Sequence, residues 1–144
     1  TLAVIGDQLG LYRAMADAGS KSYGALSVNL QVLASVERVF DIPPGAFRPP
    51  PKVDSSVIRI TPLSNPVLRE GEQGRFRSFV QSLFSQRRKQ IGTILRSLPP
   101  SASGVPAVTL DALAALGIPP TERPERLTPL QFVELFREVR QSER

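Results

Sequence analysis

Apolar residues in the C-terminal half recur at helical spacing. Phe76, Val80, Leu83, Ile91 and Ile94 form one stripe over residues 75–98, which at roughly 3.6 residues per turn predicts a single helix of more than five turns. Arg87 falls inside that stripe at 100° per residue, whereas Lys89 points to the other side. A guanidinium there must snorkel, find a carboxylate or carbonyls, or face a cleft that takes an anion. Further on, TLDALAALGIPP predicts a short helix with Thr109 at its N-cap and Gly117 past its end. A last helix starts with Thr128 as cap, Pro129 at the first position, Gln131 closing a capping box and Leu127 stapled onto Phe132. Val133, Phe136 and Val139 or Arg140 would carry its inner face, and PPSASGVPA, residues 99–107, reads as a loop.

The N-terminal half is patterned differently. Residues 1–19 place Ile5, Leu9 and Ala16 near helical spacing, with Gly19 as a C-cap. A helix is expected from about Tyr23 to Ala34, burying Leu26, Leu30 and Leu33. VERVFDI reads as a short strand that Pro43 ends. The stretch AFRPPPKVDSSVIRI, residues 46–60, joins a stiff run of three prolines to a period-two alternation, Ser56, Ile58 and Ile60 against Val57, Arg59 and Thr61. Proline fixes φ and removes a backbone donor, so Phe47 stands at the far end of a rigid loop that feeds a strand. Residues 62–74, rich in proline, glycine and polar groups, make the best domain boundary.

Composition narrows the chemistry. The 144-residue chain has no cysteine and no histidine, which removes disulfides, thiolate nucleophiles, histidine bases and the usual zinc sites. No apolar run approaches the roughly 20 residues that span a bilayer, and the N-terminus lacks the pattern of a secretory leader. A soluble, cytoplasmic protein is expected. The net charge of +5 lies between Arg69 and Pro100, where seven basic residues face two acidic ones, and the rest of the chain is neutral. Such a segment suits either a phosphate-binding surface or a solvated basic helix face.

No Gly-rich phosphate loop is present, the thirteen carboxylates are scattered, and Ser55 and Ser56 have no base to activate them. Ser55 and Ser56 read as hydrogen-bonded strand residues. Taken residue by residue, the chain is a binding surface rather than a complete enzyme. Phe47, Arg48 and Lys52 on the stiff loop, beside a helix with Arg87, Arg88 and Lys89, form a candidate platform for a base and its phosphates.

Four segments, in order over residues 19–136, carry a resemblance. FRPPPKVDSSVIR from Phe47 resembles the F-x-P-x-P-K-V-x-S-x-V motif of the rRNA adenine dimethyltransferases, the family of the small-subunit enzyme of kasugamycin sensitivity and of the erythromycin-resistance methylases. GSKSYGALSV from Gly19, FSQRRK ending at Lys89, and LGI from Leu116 with RPERLT from Arg123 resemble its flanking segments, and fit the small-subunit type better. The resemblance implies an α/β fragment followed by a small all-α domain. Residues 1–63 would hold the last strands and a helix of a Rossmann-like methyltransferase domain, and residues 64–144 a small helical rRNA-binding domain.

It also implies that Phe47 stacks on a flipped target adenine, with Arg48, Lys52, Arg87, Arg88 and Lys89 on RNA, or Arg87 as an internal anchor for its neighbours. A simple hydrophobic plug is the competing reading of Phe47. The family's S-adenosylmethionine loop and its Asn-Leu-Pro-Tyr motif are not in this sequence, and residues 1–18 depart from its pattern. The chain by itself is therefore expected to hold no catalytic residues, cofactor or metal, and to act as a monomer on small-subunit rRNA with S-adenosylmethionine serving the full enzyme. Truncation or a chimera would explain such a chain. A noncatalytic RNA-binding module in small-subunit assembly, and a helical domain that meets an acidic protein, are the alternatives.

Overall fold

A computed structural model describes residues 2–97 and 110–141. Its elements run β1 (Leu2–Asp7), α1 (Gln8–Met15), α2 (Ala25–Gln31), β2 (Ala34–Ile42), β3 (Ser55–Pro62), α3 (Gln73–Phe84), α4 (Ile91–Ser97), α5 (Leu110–Ala115) and α6 (Pro129–Gln141). The strands form one sheet in the order β1-β3-β2, with β3 antiparallel to both neighbours. The chain is thus α/β, with a three-stranded antiparallel sheet and several helices.

β3 lies where the alternating pattern put it, but Ser55, Ser56, Val57 and Ile58 are all buried. Both faces of β3 are thus covered over residues 55–58, and exposure begins at Arg59. β2 ends at Ile42, just before Pro43, and a bulge between Arg38 and Phe40 shifts its register. The N-terminal segment departs from expectation, because Leu2–Asp7 pairs with Ser55–Ile60 as a strand and α1 starts only at Gln8. Pairing with β3 decides that conformation, and helical spacing within the segment could not reveal it.

α2 is shorter than expected and turns a different face inward. Tyr23, Ser27, Val28 and Val32 are buried, while Leu26 is 53% exposed. Two of the four inward positions are polar and find partners: the Tyr23 hydroxyl donates to the Leu127 carbonyl at 2.6 Å, and the Ser27 hydroxyl donates to the Arg13 carbonyl. A search for leucines alone misses such a face. α2 also touches α1, β2, α3 and α6, and so braces the sheet against the helices. One buried cluster accordingly joins Tyr23, Val28 and Val32 to Phe76, Phe79, Leu83, Ile94, Phe132 and Phe136.

The long helix expected over 75–98 is two helices. α3 ends at Phe84, residues 85–90 make turns, and α4 restarts at Ile91. The Ile91 amide donates to Glu122 O at 2.7 Å and the Gly92 amide to Pro120 O at 2.9 Å. Those carbonyls capture the donors that an unbroken helix would direct back to residues 87 and 88. Ile91 and Ile94 remain buried across the break, which is why the apolar stripe looked continuous.

The C-terminal elements follow the pattern. Gly117 adopts φ +66 past α5, and Thr128 and Gln131 exchange capping hydrogen bonds at 3.2 and 2.9 Å before α6. Leu127, Phe132, Val133 and Phe136 are buried. Thr109, residues 99–107 and the side chains of Val139 and Arg140 lie outside what is described. Gly19 has the positive φ expected of it, +87, but in a turn beyond α1, where its amide donates to Glu125 O at 2.7 Å. Among the described residues no helix is long and apolar enough to cross a membrane.

Candidate nucleic-acid interface

The loop between β2 and β3 starts with a 3-10 turn, Pro44–Ala46, closed by amides of Ala46 and Phe47 that donate to Pro43 O and Pro44 O at 3.0 and 3.2 Å. Phe47 follows in extended conformation, half-buried, between Pro43–Pro44 and Pro49–Pro51. Five prolines around one aromatic leave its backbone little freedom. Arg48 and Lys52 are exposed beside it.

The base of this loop is tied by side chains. The Ser56 hydroxyl donates to Asp41 Oδ1 at 2.6 Å, joining the last residues of β2 to the first of β3, and Arg38 forms an ion pair with Asp41. The Arg38 hydrogen bond, then that of Ser56, holds the Asp41 carboxyl below its usual range. A depressed folded pKa stabilises the protein above the unfolded carboxylate value near 4 and is lost as pH falls through the folded value. The pair is solvent-exposed, so the effect is small. Asp41→Asn is expected to lower the urea midpoint slightly near pH 7 and to flatten the acid limb of the profile below about pH 4, where the wild type loses the same contribution.

The second group sits in the turns after α3. Ser85, Gln86, Arg87, Arg88 and Lys89 line a shallow depression, and Arg87, Arg88 and Lys89 are exposed. They stand on a turn and not on a helix as the pattern suggested, because α4 is captured by residues 120 and 122. Their roles divide. The Arg87 Nη2 donates to Tyr23 O at 3.1 Å and lies 3.8 Å from Glu125 Oε2. Arg88 and Lys89 have no ion pair or side-chain hydrogen bond among the described residues. Arg87 thus latches the turn to the start of α2, where Arg13, Lys21, Ser27 and Arg87 line a second, polar depression.

Tyr23 is the hub of this latch. Its carbonyl takes Arg87, its hydroxyl holds Leu127, and burial pushes its phenol well above the ordinary tyrosine range. Sequence reasoning singled out none of Tyr23, Arg13 and Glu125. Tyr23 and Glu125 were signalled only by the GSKSYG and RPERLT segments, without a mechanism, and Arg13 by neither. Of the six expected residues, Phe47, Arg48 and Lys52 share the loop and Arg87, Arg88 and Lys89 share the turn. No hydrogen bond or ion pair joins the two groups among the described residues. No cluster of three metal-ligating side chains occurs among the described residues either.

A protein-family model described as ribosomal RNA adenine dimethylase matches residues 7–139. The chain belongs to that family. This dimethylase-family chain is 40% identical over 132 residues to the ribosomal RNA small subunit methyltransferase A of Psychrobacter cryohalolentis, covering 91% of the chain and 44% of that protein. It is 40% identical over 123 residues to the protein of the same name from Laribacter hongkongensis, covering 85% and 44%. It spans less than half the length of these curated relatives. Two solved structures share the fold: a dimethyladenosine transferase from Plasmodium falciparum, with TM-score 0.81 and 20% identity over 96% of this chain and 57% of that one, and the 23S rRNA methyltransferase ErmE, with TM-score 0.65 and 24% identity over 96% and 54%.

Proposed function

We propose that the chain is the C-terminal portion of an S-adenosylmethionine-dependent rRNA adenine N6-dimethyltransferase, supplying target-adenine stacking and rRNA docking. Residues 1–63 are the end of the catalytic domain and residues 64–144 a small helical rRNA-binding domain. One observation carries the reading: an aromatic side chain held half-exposed between two proline runs at the rim of the sheet, with the exposed Arg48 and Lys52 beside it. A flipped base must be held within a narrow range of positions for a group to be transferred to it, and a stiff ring provides that. Arg88 and Lys89 neutralise phosphates, while Arg87 fixes the turn that carries them.

Three depressions among the described residues do not suit the methyl donor. The depressions lined by Arg87–Lys89 and by Arg13, Lys21 and Arg87 are cationic and repel a sulfonium, and the one between Val32, Leu63, Val67 and Leu130 is apolar. The donor belongs on the part of the relatives that this chain does not match.

The test compares the chain alone with the chain joined to the N-terminal half of a small-subunit relative, both assayed for binding to small-subunit rRNA and for methyl transfer to its adenines. Binding by both and transfer by the joined protein alone is expected. Binding without transfer by either leaves a noncatalytic RNA-binding module, and absence of binding sinks the RNA reading. Replacing Arg88 and Lys89 together by alanine is expected to lower the salt slope of log affinity by about one to two units across RNA sequences. An unchanged slope removes both from the RNA surface.

A further inference from the structure

We infer that the solvent face of α3 is a second docking strip for the RNA sugar-phosphate backbone, with Arg75 and Arg77 as its anchors. The inference rests on the RNA-docking reading above and extends it to residues outside the basic turn. α3 sends Phe76, Phe79, Val80 and Leu83 into the core, each at most 1% exposed. At 100° per residue the opposite side carries Gly74, Ser78, Gln81 and Ser85, all exposed, and Arg75 and Arg77 stand exposed on its two flanks. From Arg75 to Ser85 the helix rises about 15 Å and leads directly into Arg88 and Lys89.

The charge distribution is one-sided. From Gln73 to Ser97 the chain has six cations and no carboxylate. Among the described residues only Arg87 of those six forms an ion pair. Of the two carboxylates just before α3, Glu72 faces Arg137 at 3.9 Å and accepts the Arg69 amide at 3.1 Å, while Glu70 is exposed. A helix face serving only as solvated surface usually interleaves the two signs, because opposite charges four residues apart support the helix. Among the described residues Arg75, Arg77, Arg88, Lys89 and Arg96 form no ion pair, and a polyanion is the partner that would offset their like charge.

The chemistry also favours nucleic acid over an acidic protein. No large apolar side chain is exposed anywhere on α3. Protein interfaces concentrate their binding energy in buried aromatic and apolar anchors, whereas phosphate backbones are met by arginine, lysine and small polar groups. The strip offers cations at both ends and uncharged polar groups between them.

The experiment measures affinity of the intact chain for deproteinised small-subunit rRNA as a function of salt, for the wild type, for Arg75→Gln with Arg77→Gln, and for Arg59→Gln as a control. Arg59 is exposed and paired with Glu37 on the sheet. The double variant is expected to bind about tenfold more weakly at 0.1 M salt, with a salt slope lower by one to two units, as roughly 0.9 unit is lost per phosphate contact. The Arg59→Gln chain should match the wild type. A double variant that tracks the wild type, while Arg88 and Lys89 replacements still weaken binding, overturns the strip and leaves the basic turn. A control that loses about half as much as the double variant, in proportion to the charge removed, also overturns it, since net charge alone then explains both. A wild type that binds no RNA overturns both readings together.

Discussion

Replacing Phe47 by alanine, in the chain joined to a donor-binding half, is expected to lower adenine methylation by about 100-fold while changing rRNA affinity less than about threefold. The asymmetry follows from where the ring stands. Phe47 projects from a loop whose backbone is stiffened on both sides by proline and closed at its base by the Ser56–Asp41 hydrogen bond. One stacked base contributes about 1–3 kcal/mol, a minor share of a docking surface built on many phosphate contacts. Misplacing the reacting base by about 1 Å can cost 100-fold in rate. A 2-aminopurine at the target position gives a second readout, because a ring stacked on it quenches its fluorescence and Phe47→Ala should restore the signal of an unstacked base. Phe47→Tyr keeps the aromatic face and is expected to recover most of the activity. Equal losses of rate and affinity, or a large fall in melting temperature with alanine alone, would instead make Phe47 a plug in the fold.

How much of this was legible in the sequence depended on how local the cause was. β3, the stop of β2 at Pro43, the Thr128–Gln131 cap and the turn at Gly117 were legible, because proline, capping residues and glycine act on their own neighbours. β1 was not, because Leu2–Asp7 takes its conformation from a partner about fifty residues away. The inward face of α2 was misread for a related reason, since Tyr23 and Ser27 are buried by hydrogen bonds to Leu127 and Arg13 that no local pattern announces. At the candidate site the residue types were all visible in the sequence, but their division of labour was not. Arg87 becomes a latch only once Tyr23 O and Glu125 are placed against it.

Gly92→Ala carries the other large expected effect, a destabilisation of about 1–3 kcal/mol, the usual cost of forcing a methyl into a filled space. A Cβ at Gly92 would stand 2.9 Å from Pro120 Cβ and 3.0 Å from Pro120 O. The second of these is backbone, so relief by a side-chain rotation is not open. The same displacement strains the Gly92 amide bond to Pro120 O, one of the two contacts that end the long helical run and create the basic turn.

For a chain of this size about 1 kcal/mol corresponds to a few degrees in melting temperature, so a fall of several degrees is expected. Gly74→Ala is the counterpart, with nothing within 4 Å of the added carbon and a helical position inside α3, where alanine should raise stability by about 0.4–1 kcal/mol. Because residues 85–90 are held between α3 and the captured start of α4, Gly92→Ala should also weaken RNA binding at temperatures where the fold persists. A Gly92→Ala chain as stable as the wild type, or one that loses stability while binding RNA unchanged, would separate the turn from the contact that shapes it.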